Sequence, residues 1–199
     1  MSDDERERLI VNIEGELVAL GPVQRGHIPF WTRWFNDLQM TGNLAVMPKP
    51  MTFEEEETWY ERAVSNDSDV SFAIYERATW RPIGNCGLHH PNMTHRTAEV
   101  GIAIGEPDAR GKGYGTEAMR LLLDYAFTSL GLRNVMLRVY GYNTAAHRSY
   151  VKVGFKEIGR RRESRWHNGR FWDEIYMDIL ASEFESPVLA ELLRPDAGQ

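Results

Sequence analysis

Ala98-Glu-Val-Gly-Ile-Ala-Ile-Gly105 leads through Glu106 to Ala109 into Arg110-Gly-Lys-Gly-Tyr-Gly-Thr116, and these nineteen residues decide the fold. Five of the seventeen glycines lie between positions 101 and 115. Alternation of small and apolar side chains predicts a strand over 98–104. Beyond the glycines, Ala118, Met119, Leu122, Tyr125, Ala126 and Leu130 mark the buried face of a helix over 116–130, with Gly131 as its stop. A strand, a glycine-rich turn and a helix start make a site for a phosphate, because free N–H groups and the helix dipole converge where no side chain blocks approach. Two nucleotide motifs fail here. Lys112 is followed by Gly113, where the P-loop pattern needs Ser or Thr, and Thr116 stands where the dinucleotide fingerprint needs its third glycine.

The turn, Arg110-x-x-Gly113-x-Gly115, resembles the acyl-CoA pyrophosphate loop of the GNAT superfamily of N-acetyltransferases, [Q/R]-x-x-G-x-[G/A]. The resemblance implies that Arg110, Gly111, Lys112, Gly113, Tyr114, Gly115 and Thr116 wrap the pyrophosphate of acetyl-CoA. It also implies that the backbone at Val100, Gly101, Ile102 and Ile104 pairs with the pantetheine arm. Strand alternation puts Glu99, Gly101 and Ala103 on one face, two of them small enough to admit a ligand.

Downstream stands Asn143-Thr-Ala-Ala-His-Arg-Ser-Tyr150-Val-Lys-Val-Gly-Phe155. Asn143 and Tyr150 are seven residues apart, about 20° short of two helical turns, so they share a stripe. Asn143 also reads as a helix N-cap and Tyr150 as a core aromatic. The whole string resembles the second signature of the same superfamily, N-x-x-A-x-x-x-Y-x-x-x-G-F. That resemblance passes the role of proton donor to the leaving thiolate to Tyr150, and the ordering of cofactor or a water to Asn143. Adjacent Ser149 is a second candidate for the acid.

The remaining chain predicts strands over 17–23, 70–76, 83–89, 135–140, 155–162 and 171–180, the last two joined across Asn168-Gly169. A helical stripe runs through Ile28, Trp31, Trp34, Phe35 and Leu38, and Thr52 with Glu55 forms a capping box at the start of another helix. The expectation is an α/β (α+β) GNAT fold: a mixed, mostly antiparallel central sheet with helices on both faces. One domain over 11–184 is flanked by a charged arm at 1–10 and a tail at 185–199. The resemblance spans roughly residues 15–182. Its finer features, such as His95-Arg-Thr-Ala-Glu99, look like the branch that holds ribosomal-protein alanine and polyamine acetyltransferases.

Composition narrows the class. With 199 residues, 42% hydrophobic and one cysteine, Cys86, the chain has neither a disulfide framework nor an apolar run long enough to span a membrane. No export signal is visible, and a reducing cytoplasm is the expected location. The net charge of −6 argues mildly against a dedicated nucleic-acid binder and mildly for a cationic ligand, although most acidic proteins simply stay soluble this way. His89, His90 and His95 match no metal spacing and read as polar loop residues, so no metal is expected. The arginines 160, 161, 162, 165 and 170 divide between two faces of a hairpin. Trp31, Trp34, Trp59, Trp166 and Trp172 fall in segments that border the acceptor site in resembling proteins, although tryptophans usually belong to a core.

Acetyl transfer to an amine needs a neutral nitrogen, oxyanion stabilisation and a proton for the thiolate. An α-amine near pKa 8 costs about 1.4 kcal/mol to neutralise at pH 7, a lysine-like amine roughly 4.6. Glu99 is the candidate base, through a water, with an ion pair to Arg96 as its structural alternative. Backbone N–H groups near Val100 to Ile102 are candidates for the oxyanion. The reading is an acetyl-CoA-dependent N-acetyltransferase acting directly on a primary amine, of a small molecule or a protein N-terminus. The alternative is a non-catalytic acyl-CoA sensor of the same fold. Exposed sheet edges leave a homodimer open.

Overall fold

Alternation along residues 97–104 sends Ala98 and Val100 into one hydrophobic core and Ala103 against another, so this strand is covered on both faces. The computed structural model describes residues 9–47, 49–65 and 69–195. Its sheet has eight strands: β1 (Ile13–Glu14), β2 (Val18–Pro22), β3 (Val70–Glu76), β4 (Pro82–Asn92), β5 (Thr97–Ile104), β6 (Asn134–Tyr140), β7 (Lys156–His167) and β8 (Arg170–Leu180). Their spatial order is β1-β2-β3-β4-β5-β6-β8-β7, antiparallel throughout except between β5 and β6.

That one parallel junction positions the site. Pairing covers only Thr97–Glu99 against Asn134–Met136, although β5 runs on to Ile104 and β6 to Tyr140. Past Glu99 the two strands part, and the β6-facing edge of β5 is left without a ladder.

The larger core lies on one face, where helices α4 (Tyr114–Asp124) and α5 (Thr144–Val153) pack Ala118, Met119, Leu122 and Val153 on the sheet. On the other face α1 (Ile28–Phe35) buries Ile28, Trp31 and Trp34, and α3 (Phe53–Ser65) adds Tyr60. The stripe expected to run from Ile28 to Leu38 is interrupted because Asp37 accepts the N–H of Gln39 and caps a separate turn, α2 (Leu38–Thr41). The Thr52–Glu55 capping box is present in both directions, at 3.1 and 3.2 Å. The helix expected over 116–130 begins two residues earlier and widens to a π-helical turn at Tyr125–Ser129. The final hairpin is longer than expected, with β7 extending to His167.

The arm at residues 1–8 lies outside the described residues. The described part of the tail is docked: fully buried Asp124 accepts the N–H groups of Val188 and Leu189 at 3.0 and 2.8 Å, and Leu189 enters the main core from α6 (Leu189–Leu192).

Candidate active site

Gly111 and Gly113 adopt φ of +76° and +90°, a region that side chains disfavour and glycine allows, so the chain can make this tight turn. Among the described residues, the N–H groups of Gly111, Lys112 and Gly113 donate to no protein acceptor. A Cβ built on Gly111 would meet nothing within 4 Å. Gly113 also caps α4, so the positive end of the helix adds to the cradle.

Arg110 and Tyr114 of this loop face inward and brace it. The Arg110 guanidinium donates to the carbonyls of Ile104 and Gly105 at 3.1 and 2.9 Å and pairs with Asp37 at 3.0 Å. Tyr114 donates to Glu76 at 2.7 Å, and Glu76, which also holds Thr79 and Arg81, is held down to about 2 by these bonds. Glu117 accepts the N–H groups of Glu16, Leu17 and Val18 at 2.7–2.8 Å, fastening the start of α4 to the β1–β2 turn. Lys112 is exposed and is the loop's outward cation.

Asn143 caps α5, its side chain accepting from Ala146 at 3.1 Å. Two turns on, Tyr150 is half-buried against the main core, edge-on to Phe155, and its hydroxyl has no hydrogen-bond partner among the described residues. Burial pushes the phenol up to about 12, so it stays protonated at neutral pH. Ser149 is engaged differently: its hydroxyl lies 2.7 Å from that of Thr116, joining α5 to α4.

The opposite face of β5 carries the ionic groups. Glu99 accepts from Arg138 on β6 at 2.7 Å, so its partner is Arg138 rather than Arg96. Arg138 also approaches Glu174 at 3.6 Å, and Tyr176 donates to Glu174 at 3.0 Å. Beside Glu99, His89 on β4 leans over Gly101, its Nε2 only 2.8 Å from where a Cβ on that glycine would stand. The sequence alone places His89 in a polar loop. Pairing it with Glu99 across the turn at 93–96 would have put it on the working face.

Beyond the point of divergence, Tyr142 stacks on His167 at 4.0 Å and on Tyr140, meets Trp172 edge-on, and donates to the carbonyl of Gly42 at 2.5 Å. Arg165 sits over the Tyr140 ring at 4.6 Å. These groups wall the space above β6. Trp31 and Trp34 are buried in the second core, whereas Trp166 is exposed at the hairpin tip. No group of three or more potential metal-ligating side chains occurs among the described residues.

The family model for the acetyltransferase (GNAT) domain matches residues 18–156. The chain belongs to the GNAT acetyltransferase family. This acetyltransferase is 35% identical over 133 residues to the spermidine N(1)-acetyltransferase of Vibrio cholerae, which covers 67% of this chain and 76% of that one. The crystal structure of the Vibrio cholerae spermidine N-acetyltransferase in complex with CoA and spermine aligns with a TM-score of 0.78 at 30% identity, over 85% of this chain and 98% of that one. A dodecameric structure of the Vibrio enzyme aligns at 0.71 and 30% identity, over 84% and 96%. The acetyltransferase's own residues fit acetyl-CoA: three unbonded amides and a helix start for the pyrophosphate, and an unpaired strand edge of the right polarity for an amide-bearing arm.

Proposed function

We propose that the protein transfers the acetyl group of acetyl-CoA directly to the primary amine of a small molecule or a protein N-terminus. The observation that carries this reading is the run of unbonded amides at Gly111, Lys112 and Gly113 beside a strand that parts from its neighbour after Glu99. When bound, acetyl-CoA supplies an activated acetyl thioester. The loop amides and Lys112 hold its pyrophosphate, and the free edge of β5 from Val100 to Ile104 takes the amide-bearing arm. A backbone N–H of the Val100–Ile102 stretch polarises the carbonyl. Tyr150, protonated and unpartnered, gives its proton to the departing sulfur. Asn143 and Ser149 hold the helix that presents it.

Arg138 occupies one oxygen of Glu99, and the other is available to an acceptor ammonium. The acidic balance of the chain and the similarity to spermidine acetyltransferases make a small cationic amine the first acceptor class to test. The dodecameric relative supports self-association beyond a homodimer. Buried Cys86, its thiol raised by desolvation, suits the reducing cytoplasm proposed as the location, and no described helix is long and apolar enough to cross a membrane. Thiol release from acetyl-CoA, followed over a panel of polyamines, amino-acid derivatives and N-terminal peptides, tests the reading. Turnover with primary amines and none with their N-acetyl forms is expected. Tight acetyl-CoA binding with no turnover would favour the sensor.

A further inference from the structure

We propose that His89 is the general base of the acetyl transfer, receiving the acceptor's proton at Nε2 while Asp69 orients its ring; the assignment rests on the acetyl-transfer reading above. Three independent features aim this imidazole. Register between β4 and β5 is regular through the His89–Glu99 pair and then slips before Asn92, and His90 takes φ of +50°. A bulge of this kind re-aims the side chain beside it. Asp69 holds the bulge, accepting the His90 N–H at 3.0 Å with one oxygen, while its other oxygen stands 3.7 Å from His89 Nδ1. Asp69 therefore faces the Nδ1 side of the ring, and Nε2 lies at the other side, over Gly101. The missing side chain at Gly101 admits Nε2 over the central strand, in space that an alanine would fill.

The position is the useful one. Gly101 lies on the part of β5 whose far edge is unpaired, and it shares a face with Glu99. The charged and titratable groups around the ring are Asp69 ahead of β3, His90 on its own strand, Glu99 on β5 and Arg138 on β6. Glu99 is already engaged by Arg138, whereas among the described residues no hydrogen bond occupies His89 Nε2. An imidazole nitrogen that carries a lone pair can take a proton from a positioned ammonium, which is what a general base does.

The proton balance closes without another reactant. An acceptor ammonium gives one proton to His89 Nε2, which passes it to water, and the freed nitrogen bonds to the acetyl carbon as the carbon–sulfur bond breaks. Sulfur takes the proton of Tyr150. The second proton, lost from nitrogen as the amide forms, restores the Tyr150 hydroxyl.

The test is the pH dependence of kcat/KM for the wild type, His89→Gln, Gly101→Ala and Glu99→Gln, with acetyl-CoA affinity measured on each to establish an intact fold. His89→Gln is expected to lose about 10²-fold at pH 7 and to recover as pH rises and the ammonium gives up its proton to solvent by itself. Its acidic limb should move up in pH to that of the free amine. Gly101→Ala should reproduce that loss by displacing an intact ring, and Glu99→Gln should keep the limb. A His89→Gln enzyme with the wild-type rate and limb overturns the assignment and leaves acetyl transfer standing. Absence of wild-type turnover with every amine overturns the acetyl-transfer reading, and the assignment with it.

Discussion

Tyr150 is the side chain on which chemistry and motif meet. The residue is half-buried, and its hydroxyl is protonated and bonded to nothing among the described residues. Tyr150→Phe should lower kcat by roughly 10²-fold or more while acetyl-CoA binding by calorimetry changes little, since general acid catalysis contributes about that much. Ser149→Ala should be far milder, because that hydroxyl is bonded to Thr116; a larger loss in Ser149→Ala than in Tyr150→Phe would exchange their roles. Motif spacing made Tyr150, Asn143 and the loop glycines legible in the sequence. It did not show that Arg110 and Tyr114 turn inward, because their partners Asp37 and Glu76 lie 73 and 38 residues away. His89 was hidden for the same reason: its aim depends on a register slip and on Asp69, 20 positions earlier in the chain.

Elements came through the sequence where caps and periodicity are local. The Thr52–Glu55 box, the Asn143 cap and the Gly154 stop, at φ of +117°, stand as the residue types dictate. The length of the β5–β6 ladder did not, since it depends on how two segments more than thirty residues apart in sequence diverge in space. The placement of α4 rests heavily on Glu117, whose carboxylate takes three backbone N–H groups of the β1–β2 turn. Glu117→Ala leaves all three without that acceptor and should cost about 2 kcal/mol or more in denaturant unfolding. It should also raise the KM for acetyl-CoA, because the same turn of helix carries the amide cradle. An unchanged KM alongside lost stability would separate the anchor from the loop.

Over the whole molecule, two buried carboxylates act on stability in opposite directions. Glu56, 3% exposed on α3, is pushed by burial up to about 7, so the folded state binds its proton more tightly than the unfolded chain does. Stability is therefore lost as pH rises from the ordinary carboxyl range through 7, by ~3 kcal/mol at most. Glu56→Gln should raise the melting temperature at pH 8 and leave it nearly unchanged at pH 4; equal effects at both would refute the burial account. Glu76, bonded to Thr79, Tyr114 and Arg81 and held down to about 2, stabilises above the ordinary carboxyl range and loses that contribution as pH falls toward 2. The acidic composition announced neither, because one depends on burial of the carboxyl and the other on the donors that the fold gathers around it. The activity itself is tested most directly by mass spectrometry of the products formed from acetyl-CoA and a primary amine. Formation of N-acetylamine and free CoA in equal amounts, abolished or strongly reduced in Tyr150→Phe, is the predicted result, and acetyl-CoA that binds but is never consumed with any amine would contradict it.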